Sequence, residues 1–338
     1  MLIVMQNSAT ESQVDQVCQA VAELGFEAHK MPGAQRTAIC ITGNDGSISE
    51  RHFMGLSGIR EVIRVSKPYK LTSNETKTTP TVVSVGQGKF GGDHFGVIAG
   101  PACVEEAELT LEMARQLQQA GVDVFRAAAY RSRSNPYHYR GLGEDALPVL
   151  QKIKDKLNMP IATEVIDTES VAKAKEVADI LIVESHNMQH FTLLRALGKV
   201  KQPVILKRGI AATIEDFLMA AEYILAGGNH QVILCEAGVQ SFTQHGAHLL
   251  DVEVVPALKQ LTHLPVIVDP SQAAGTPMMV TPLTRAAAAL GSHGVMVECH
   301  SLPAQSAIGG SHAITIDEMV SIMPVLKQLR QVLPHESR

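Results

Sequence analysis

Apolar runs and amphipathic segments alternate along most of the chain. Eight short apolar runs have the length and composition of buried strands: 95–99, 122–128, 161–164, 180–184, 204–207, 232–235, 266–269 and 294–298. Each run is followed by a segment whose apolar residues recur at helical spacing: 105–120, 144–157, 168–178, 189–199, 213–226, 250–261, 281–290 and 317–333. Eight strand–helix pairs in about 240 residues favour a closed (β/α)8 barrel over an open parallel sheet.

The first 67 residues follow a different pattern. Apolar segments at 2–5, 27–31, 37–42 and 61–65 predict strands, and the spacing over 10–24 and near 50–56 predicts two helices. This βαββαβ order is that of the ferredoxin-like split βαβ unit. We therefore predict an α/β protein with three parts: a small ferredoxin-like domain at 1–67, a polar linker and β-hairpin at 68–94, and a (β/α)8 TIM barrel at 95–335.

Composition narrows the class of protein. Of the 338 residues, 45% are hydrophobic and 19% are charged, with a net charge of −5, which excludes global disorder and a basic nucleic-acid-binding protein. Aromatic residues make up only 4% and Trp is absent, so the stacking surfaces of single-strand binders are missing. Five cysteines without a C-x-x-C pair, no signal peptide and no long apolar run predict a cytoplasmic protein without a membrane partner.

Charged residues end most of the predicted strands, where the active site of such a barrel lies. The basic ones are Arg126, Arg131, Arg133, Lys207 and Arg208, and we expect them to outnumber the carboxylates that can pair with them. Guanidinium groups bind phosphate or carboxylate bidentately, so the pattern predicts a small phosphorylated or carboxylate substrate. Two alternatives stay open. A ring of Arg–Glu pairs could simply hold the mouth together, or Lys207, its pKa lowered by Arg208, could form a Schiff base.

Several short motifs along the chain resemble those of a known protein family. They are A-G-P at 99–101, Val104-Glu105, Tyr130, Arg133, Pro136-Tyr137, G-L-G-E at 141–144, Lys207-Arg208-Gly209, D-P-S at 269–271 and Val297-Glu298. Together they resemble the 3-deoxy-7-phosphoheptulonate (DAHP) synthase family, type I-beta, over the whole chain. The resemblance implies an aldol-type condensation of phosphoenolpyruvate with erythrose 4-phosphate at the start of the shikimate pathway. It also implies a homo-oligomer, tetramer or dimer, and an effector-binding N-terminal domain.

The same resemblance assigns roles to individual residues. Arg126 and Lys207 would bind the enolpyruvate side, and a second set would bind the aldehyde phosphate: Arg133, Ser134, Asp269 and Ser271. Arg131 stands where the family has a lysine, and His186 and Ala237 stand where it has arginines. The candidate catalytic residues are Lys207, Glu298, Glu164 and His300. His300 is included because it follows Glu298 by two residues in a strand and would share its side. We expect His312 to be an ordinary surface histidine of a loop.

The metal site of the family is incomplete in this sequence. The family binds its divalent metal through Cys, His, Glu and Asp, and these positions carry Ala102, Gln272, Glu298 and, near the last, Gly309. Cys103 lies one residue out of place and faces the wrong side of a strand unless a bulge turns it. We therefore assign no cofactor, leave a divalent metal possible with an incomplete ligand set, and expect the reaction to run without it. The alternatives are an aldolase or lyase acting on a related phosphosugar or oxo acid, and an inactive homologue acting as a binding or regulatory subunit.

Overall fold

The computed structural model describes residues 1–32, 36–43, 48–53, 55–63, 67–133, 135, 137–242 and 248–332. The chain forms two compact units. One contains Met1–Pro80 with Leu261–His263, and the other contains Thr81–Gln260 with residues 264–338.

The N-terminal unit is a four-stranded antiparallel sheet with a helix on one face. Its elements are β1 (Leu2–Met5), α1 (Glu11–Glu23), β2 (Glu27–Pro32), β3 (Thr37–Thr42) and β4 (Ile59–Ile63), with the strands in the order β2-β3-β1-β4. A capping box between Thr10 and Gln13 begins α1. The valines of α1 pack on an apolar core that includes Ile3, Ile39 and Phe53. The predicted ferredoxin-like fold is confirmed.

One predicted element of this unit differs from the structure. Residues 50–56 were expected to form a helix, but only a three-residue 3₁₀ turn, Glu50–His52, forms among the described residues. Ser49 caps this turn, and Gly55 and Gly58 follow it closely. Glycine costs about 1 kcal/mol in a helix interior relative to alanine, so a short helix does not continue through this segment.

The C-terminal unit begins with a hairpin, β5 (Val83–Val85) and β6 (Gly88–Phe90). Eight parallel strands follow: β7 (Gly96–Gly100), β8 (Val124–Arg126), β9 (Ile161–Glu164), β10 (Ile180–Val183), β11 (Val204–Lys207), β12 (Val232–Glu236), β13 (Val266–Val268) and β14 (Gly294–His300). Neighbours in the chain pair with each other, and β14 pairs with both β13 and β7. The sheet therefore closes into the predicted barrel. A short strand, β15 (Ile314–Thr315), pairs with the last two residues of β14.

Helices separate the barrel strands. They are α2 (Ala107–Ala120), α3 (Leu147–Leu157), α4 (Thr168–Ala174), α5 (Phe191–Leu197), α6 (Ile214–Ala226), α7 (Val254–Leu261), α8 (Ser271–Ala274), α9 (Pro277–Ala289) and α10 (Ile316–Val332). Local signals fix several of their ends: Glu106 caps α2, and Gly121 ends it in the left-handed conformation. Within the described ranges, no helix is both long enough and apolar enough to cross a membrane.

The barrel interior is apolar at the end where the strands begin. Inward-facing residues such as Ile98, Ile205 and Met296 form one buried cluster with the hairpin residues Val83 and Phe90. The Phe90 ring closes this end, and a Cβ added to Gly96 would lie 2.3 Å from its Cε1 atom. With one end filled by the hairpin, the opposite end is left for polar side chains.

Gly100, the last residue of β7, lets two strands approach closely at the polar end. Its φ is +151°, and an added Cβ would lie 2.1 Å from the carbonyl oxygen of Arg126 on β8. Any side chain at this position would push away the backbone that carries Arg126.

We predict that Gly100→Ala destabilises the barrel more than an alanine substitution at a glycine where only backbone strain from a positive φ is introduced. Gly121→Ala is the matched control, because Gly121 also has a positive φ but its added Cβ would meet only the flexible end of Lys327. The control should cost about 1–2 kcal/mol. Gly100→Ala should cost about 1–3 kcal/mol more, because the added methyl group would also clash with the backbone of Arg126. Urea unfolding of both variants measures the difference, and equal losses would contradict the prediction.

Candidate active site

The strand ends bring a set of buried charges to one end of the barrel. Three cations, Arg126, Arg131 and Lys207, lie with four carboxylates: Glu164, Glu184, Asp269 and Glu298. We call these seven residues the ion-pair cluster. All are buried, which follows from their positions at or just beyond the ends of strands whose remaining residues are apolar. Buried charges are tolerated only when they are paired and hydrogen-bonded.

Arg126 and Lys207 share the carboxylate of Asp269. Arg126 Nη1 lies 3.0 Å from Glu298 Oε1 and 3.7 Å from Asp269 Oδ2. Lys207 Nζ lies 2.8 Å from both Asp269 Oδ2 and Glu184 Oε1. Burial by itself lowers the pKa of Lys207, but Asp269 and Glu184 raise this pKa well above its ordinary value. Lys207 is therefore a charged ammonium group held between carboxylates.

The expectation of a lowered pKa for Lys207 beside Arg208 is wrong, because Asp269 and Glu184 outweigh both burial and the repulsion from Arg126. Arg208 has its own partners. Its Nη1 lies 3.2 Å from Glu236 Oε2 and 2.7 Å from Asp251 Oδ2, and its Nε donates to the carbonyl oxygen of Ala212. A Schiff base needs a neutral amine, so this arrangement disfavours the imine alternative.

Arg131 connects Glu164 to Glu184. Its Nη1 lies 3.1 Å from Glu164 Oε2 and 3.4 Å from Glu184 Oε1. The other oxygen of Glu164 accepts a hydrogen bond from the backbone N–H of Ser132. Burial raises the pKa of Glu164 to about 7, in spite of the opposing effect of Arg131. Near neutral pH, Glu164 can hold or release a proton.

The predicted excess of basic residues is wrong for the ion-pair cluster, which contains four carboxylates and three cations. The reason is that acidic residues follow or end as many of these strands as basic ones. With every group ionised, the cluster would carry a net negative charge. A proton on Glu164 removes this excess, which agrees with the raised pKa of that carboxyl group.

Arg133 is the one predicted basic residue whose described contact is not a carboxylate. It is partly buried, and its Nε donates to the carbonyl oxygen of Tyr139 at 3.3 Å. Its neighbour Ser134, predicted to bind the aldehyde phosphate, lies outside the described residues. Arg133 therefore keeps donor groups that a substrate can reach.

His312 is a residue of the site that the sequence pattern did not identify. Its Nε2 lies 2.9 Å from Glu298 Oε2, so the prediction of an ordinary surface histidine is wrong. Pairing of β15 with β14 returns the chain to Glu298, and no local pattern reveals this return. Burial raises the pKa of Glu298, but Arg126 and His312 together hold it well below its ordinary value.

The remaining predicted residues lie outside the ion-pair cluster. His300 is buried beside Glu105, with 3.7 Å between His300 Nε2 and Glu105 Oε2. Ser271 Oγ accepts the backbone N–H of Glu298, and the backbone N–H of Ser271 donates to Asp269 Oδ1. His186 is exposed on the turn after β10. The catalytic roles of Lys207, Glu164, Glu298 and His300 stay predictions.

The residues present do not fit the divalent metal of the resembling family. Both oxygens of Glu298 are already engaged, by Arg126 and His312. Cys103 is buried in an apolar cluster with Ala102, and burial raises the pKa of its thiol to about 12, so it stays protonated. An added Cβ on Gly309 would lie 2.8 Å from Glu298 Oε2, which leaves little space there. Across the ranges given above, no group of three His, Cys, Asp or Glu side chains could hold a metal ion.

Comparison with known proteins covers both units. Residues 70–334 match the DAHP synthetase I family, and residues 1–67 match the DAHP synthase ferredoxin-like domain. Phospho-2-dehydro-3-deoxyheptonate aldolase of Thermotoga maritima is 38% identical over 333 residues, which are 98% of each chain. A 2-dehydro-3-deoxyphosphooctonate aldolase of Syntrophobacter fumaroxidans is 27% identical and covers 72% of this chain and 90% of its own length.

Solved structures agree with these matches. The crystal structure of the Thermotoga maritima phospho-2-dehydro-3-deoxyheptonate aldolase (DAHP synthase) aligns with a TM-score of 0.77 at 37% identity, covering 98% of this chain and 97% of that one. A truncated form of 3-deoxy-D-arabino-heptulosonate 7-phosphate synthase from the same organism aligns with a TM-score of 0.73 at 37% identity. It covers 78% of this chain and 97% of its own.

We predict that His312→Ala lowers the free energy of unfolding by about 1–3 kcal/mol, because a buried carboxylate oxygen loses its donor. The exposed His94, located before β7 at the opposite end of the barrel, provides the control. His94→Ala should change the free energy of unfolding by less than about 0.5 kcal/mol. Urea unfolding near pH 7 measures both, and equal effects would show that the contact between His312 and Glu298 adds nothing to stability.

Glu164 gives a second prediction, for the pH dependence of stability. Its pKa of about 7 in the folded protein exceeds the ordinary value of 4.5, so the folded state keeps a proton that the unfolded chain releases. This stability is fully present below about pH 4.5 and is lost as the pH rises through about 7. Between about pH 5 and 8, Glu164→Gln should therefore lose less stability than the unmodified protein, as measured by urea unfolding. Glu176→Gln, at an exposed residue, is the control and should lose as much stability over this pH range as the unmodified protein. An equal loss of stability in Glu164→Gln would refute the raised pKa of Glu164.

Proposed function

We propose that this chain, which belongs to the DAHP synthetase I family, is an enzyme that condenses phosphoenolpyruvate with erythrose 4-phosphate. The products are 3-deoxy-7-phosphoheptulonate and inorganic phosphate, and one water is consumed. The resemblance found in the sequence motifs is confirmed by family matches that together span nearly the whole chain. The reaction places the protein in aromatic amino acid biosynthesis.

The observation that carries the proposal is the meeting of Arg126, Arg131 and Lys207 at the mouth of the barrel. The Nε atoms of both arginines are buried and have no hydrogen-bond partner among the described residues. Buried donors of this kind are costly unless an acceptor reaches them. An anionic substrate supplies acceptors, and planar guanidinium groups suit phosphate and carboxylate oxygens.

We assign the enolpyruvate acid to the side of Arg126 and Lys207, and the aldehyde phosphate to the side of Arg133. In an aldol-type condensation, the enol carbon attacks the aldehyde carbonyl and the resulting alkoxide takes up a proton. A water adds to the carbon that bears the phosphate and loses a proton, and that carbon then releases inorganic phosphate to give the keto product. Glu164, whose pKa is about 7, is suited to hold a proton near neutral pH. Glu298 orients Arg126 through a contact of 3.0 Å. Because the donor set does not fit a divalent metal, we propose that the reaction needs none.

Three further points belong to the proposal. The N-terminal domain, 1–67, takes an effector, while the linker and hairpin, 68–94, precede the barrel, 95–335. The protein assembles into a homo-oligomer, a tetramer or dimer.

A second candidate function is supported by the ion pairs that engage Arg126, Arg131, Lys207 and Arg208. A mouth closed by such pairs suits an inactive homologue that acts as a binding or regulatory subunit.

We predict release of inorganic phosphate from phosphoenolpyruvate that depends on erythrose 4-phosphate and continues after EDTA treatment. A colorimetric phosphate assay measures it. No release with or without added divalent metal would refute the condensation, and phosphoenolpyruvate binding without turnover would favour the second candidate. Release only with added metal would refute metal independence.

Arg133→Ala tests the assignment of the aldehyde side. Loss of a charge-assisted contact costs about 1.5–3 kcal/mol, so we expect KM for erythrose 4-phosphate to rise about 10- to 100-fold. KM for phosphoenolpyruvate should change much less. Arg195→Ala, at an exposed arginine on α5, is the control and should leave both constants unchanged. An unchanged KM for erythrose 4-phosphate in Arg133→Ala would contradict the assignment.

A further inference from the structure

We propose that Glu184 is a specificity-determining residue of the mouth, because its carboxylate occupies the place between Lys207 and Arg131 where an anionic substrate group binds. The inference rests on the proposed function only in taking these two cations as the anion-binding groups. Glu184 then acts as an internal competitor that weakens the binding of strongly charged anions.

The contacts of Glu184 are those of a bound anion. A single oxygen, Oε1, lies 2.8 Å from Lys207 Nζ and 3.4 Å from Arg131 Nη1. The two cations come from different elements, the end of β11 and the loop after β8. The side chain of Glu184 is 7% exposed, whereas those of Asp269 and Glu298 are 0% exposed. Glu184 is therefore the member of the cluster's carboxylates that lies nearest to solvent.

Both cations keep a partner when the charge of Glu184 is removed. Lys207 retains Asp269 at 2.8 Å, and Arg131 retains Glu164 at 3.1 Å. The contribution of Glu184 to pairing is thus duplicated, unlike that of Glu298, which is the nearest carboxylate to Arg126.

Glu184 is also not needed for the local fold. It precedes the short turn Ser185–Asn187, and its side chain makes no capping hydrogen bond there. Its backbone carbonyl accepts the N–H of Asn187, a bond that any residue at this position can form. Glu184→Gln and Glu184→Ala should therefore both fold.

The position of the Glu184 carboxylate sets the consequence for ligands. It lies against both Lys207 and Arg131, so an incoming phosphate meets a like charge beside these cations. Neutralising Glu184 removes the repulsion from the one carboxylate oxygen that both cations share. The effect increases with ligand charge, so a phosphate dianion gains more affinity than a monocarboxylate.

Isothermal titration calorimetry with inorganic phosphate tests this inference on the full-length chain. At low salt, Glu184→Gln and Glu184→Ala should bind phosphate at least about tenfold more tightly than the unmodified protein, because one repelling unit charge within a few ångströms is removed. Affinity for acetate should rise by a smaller factor. Glu176→Gln, at an exposed residue, is the matched control and should leave both affinities unchanged.

The outcomes separate this inference from the proposed reaction. Tighter phosphate binding in both variants supports the role of Glu184 even if no condensation is detected. Unchanged or weaker binding in both variants overturns it, even if the condensation assay succeeds. A gain that is equal for phosphate and acetate also overturns it, because relief of steric crowding rather than of repulsion would explain such a result.

Discussion

Moving a charged side chain out of water costs several kcal/mol, and the barrel mouth buries three cations and four carboxylates together. Each of these groups is stable in its place only because its neighbours supply the opposite charge. Asp269 illustrates the dependence, since Lys207 and Arg126 both lie against its Oδ2. The close approach of β7 and β8 at Gly100 positions the backbone of Arg126, so the packing of the strands and the pairing of the charges support each other.

The same network explains the chemistry available at the mouth. Lys207 remains a charged ammonium between two carboxylates, which suits it to bind an anion and not to act as a nucleophile. A proton on Glu164 compensates for the extra carboxylate of the cluster, because burial raises the pKa of Glu164 to about 7. Glu298, the one residue that matches the metal ligands implied by the sequence resemblance, is held ionised by Arg126 and His312. The carboxylates at the mouth are thus neutralised by arginine, lysine and histidine side chains, which supply the positive charge that a metal ion supplies in a metal-binding site.

Much of the fold was predictable because it depends on local periodicity. The strands 161–164 and 204–207 have in the structure the bounds that the apolar runs predicted. The charged residues at strand ends were predictable for a related reason, since a parallel barrel brings all those ends to one face. The turn at Glu50–His52 was missed because nearby glycines shorten a segment whose apolar spacing resembles that of a helix.

The sequence by itself determined the two kinds of domain, the family and the set of charges that converge at the mouth. Only the tertiary structure decided how those charges pair. Arg131 reaches both Glu164 and Glu184, and His312 reaches Glu298 from a loop that returns alongside β14. Periodicity places a residue on a face, but pairing depends on distances between elements far apart in the chain. Those distances also set the pKa of each group, so the balance of charge at the mouth follows from the folded geometry alone.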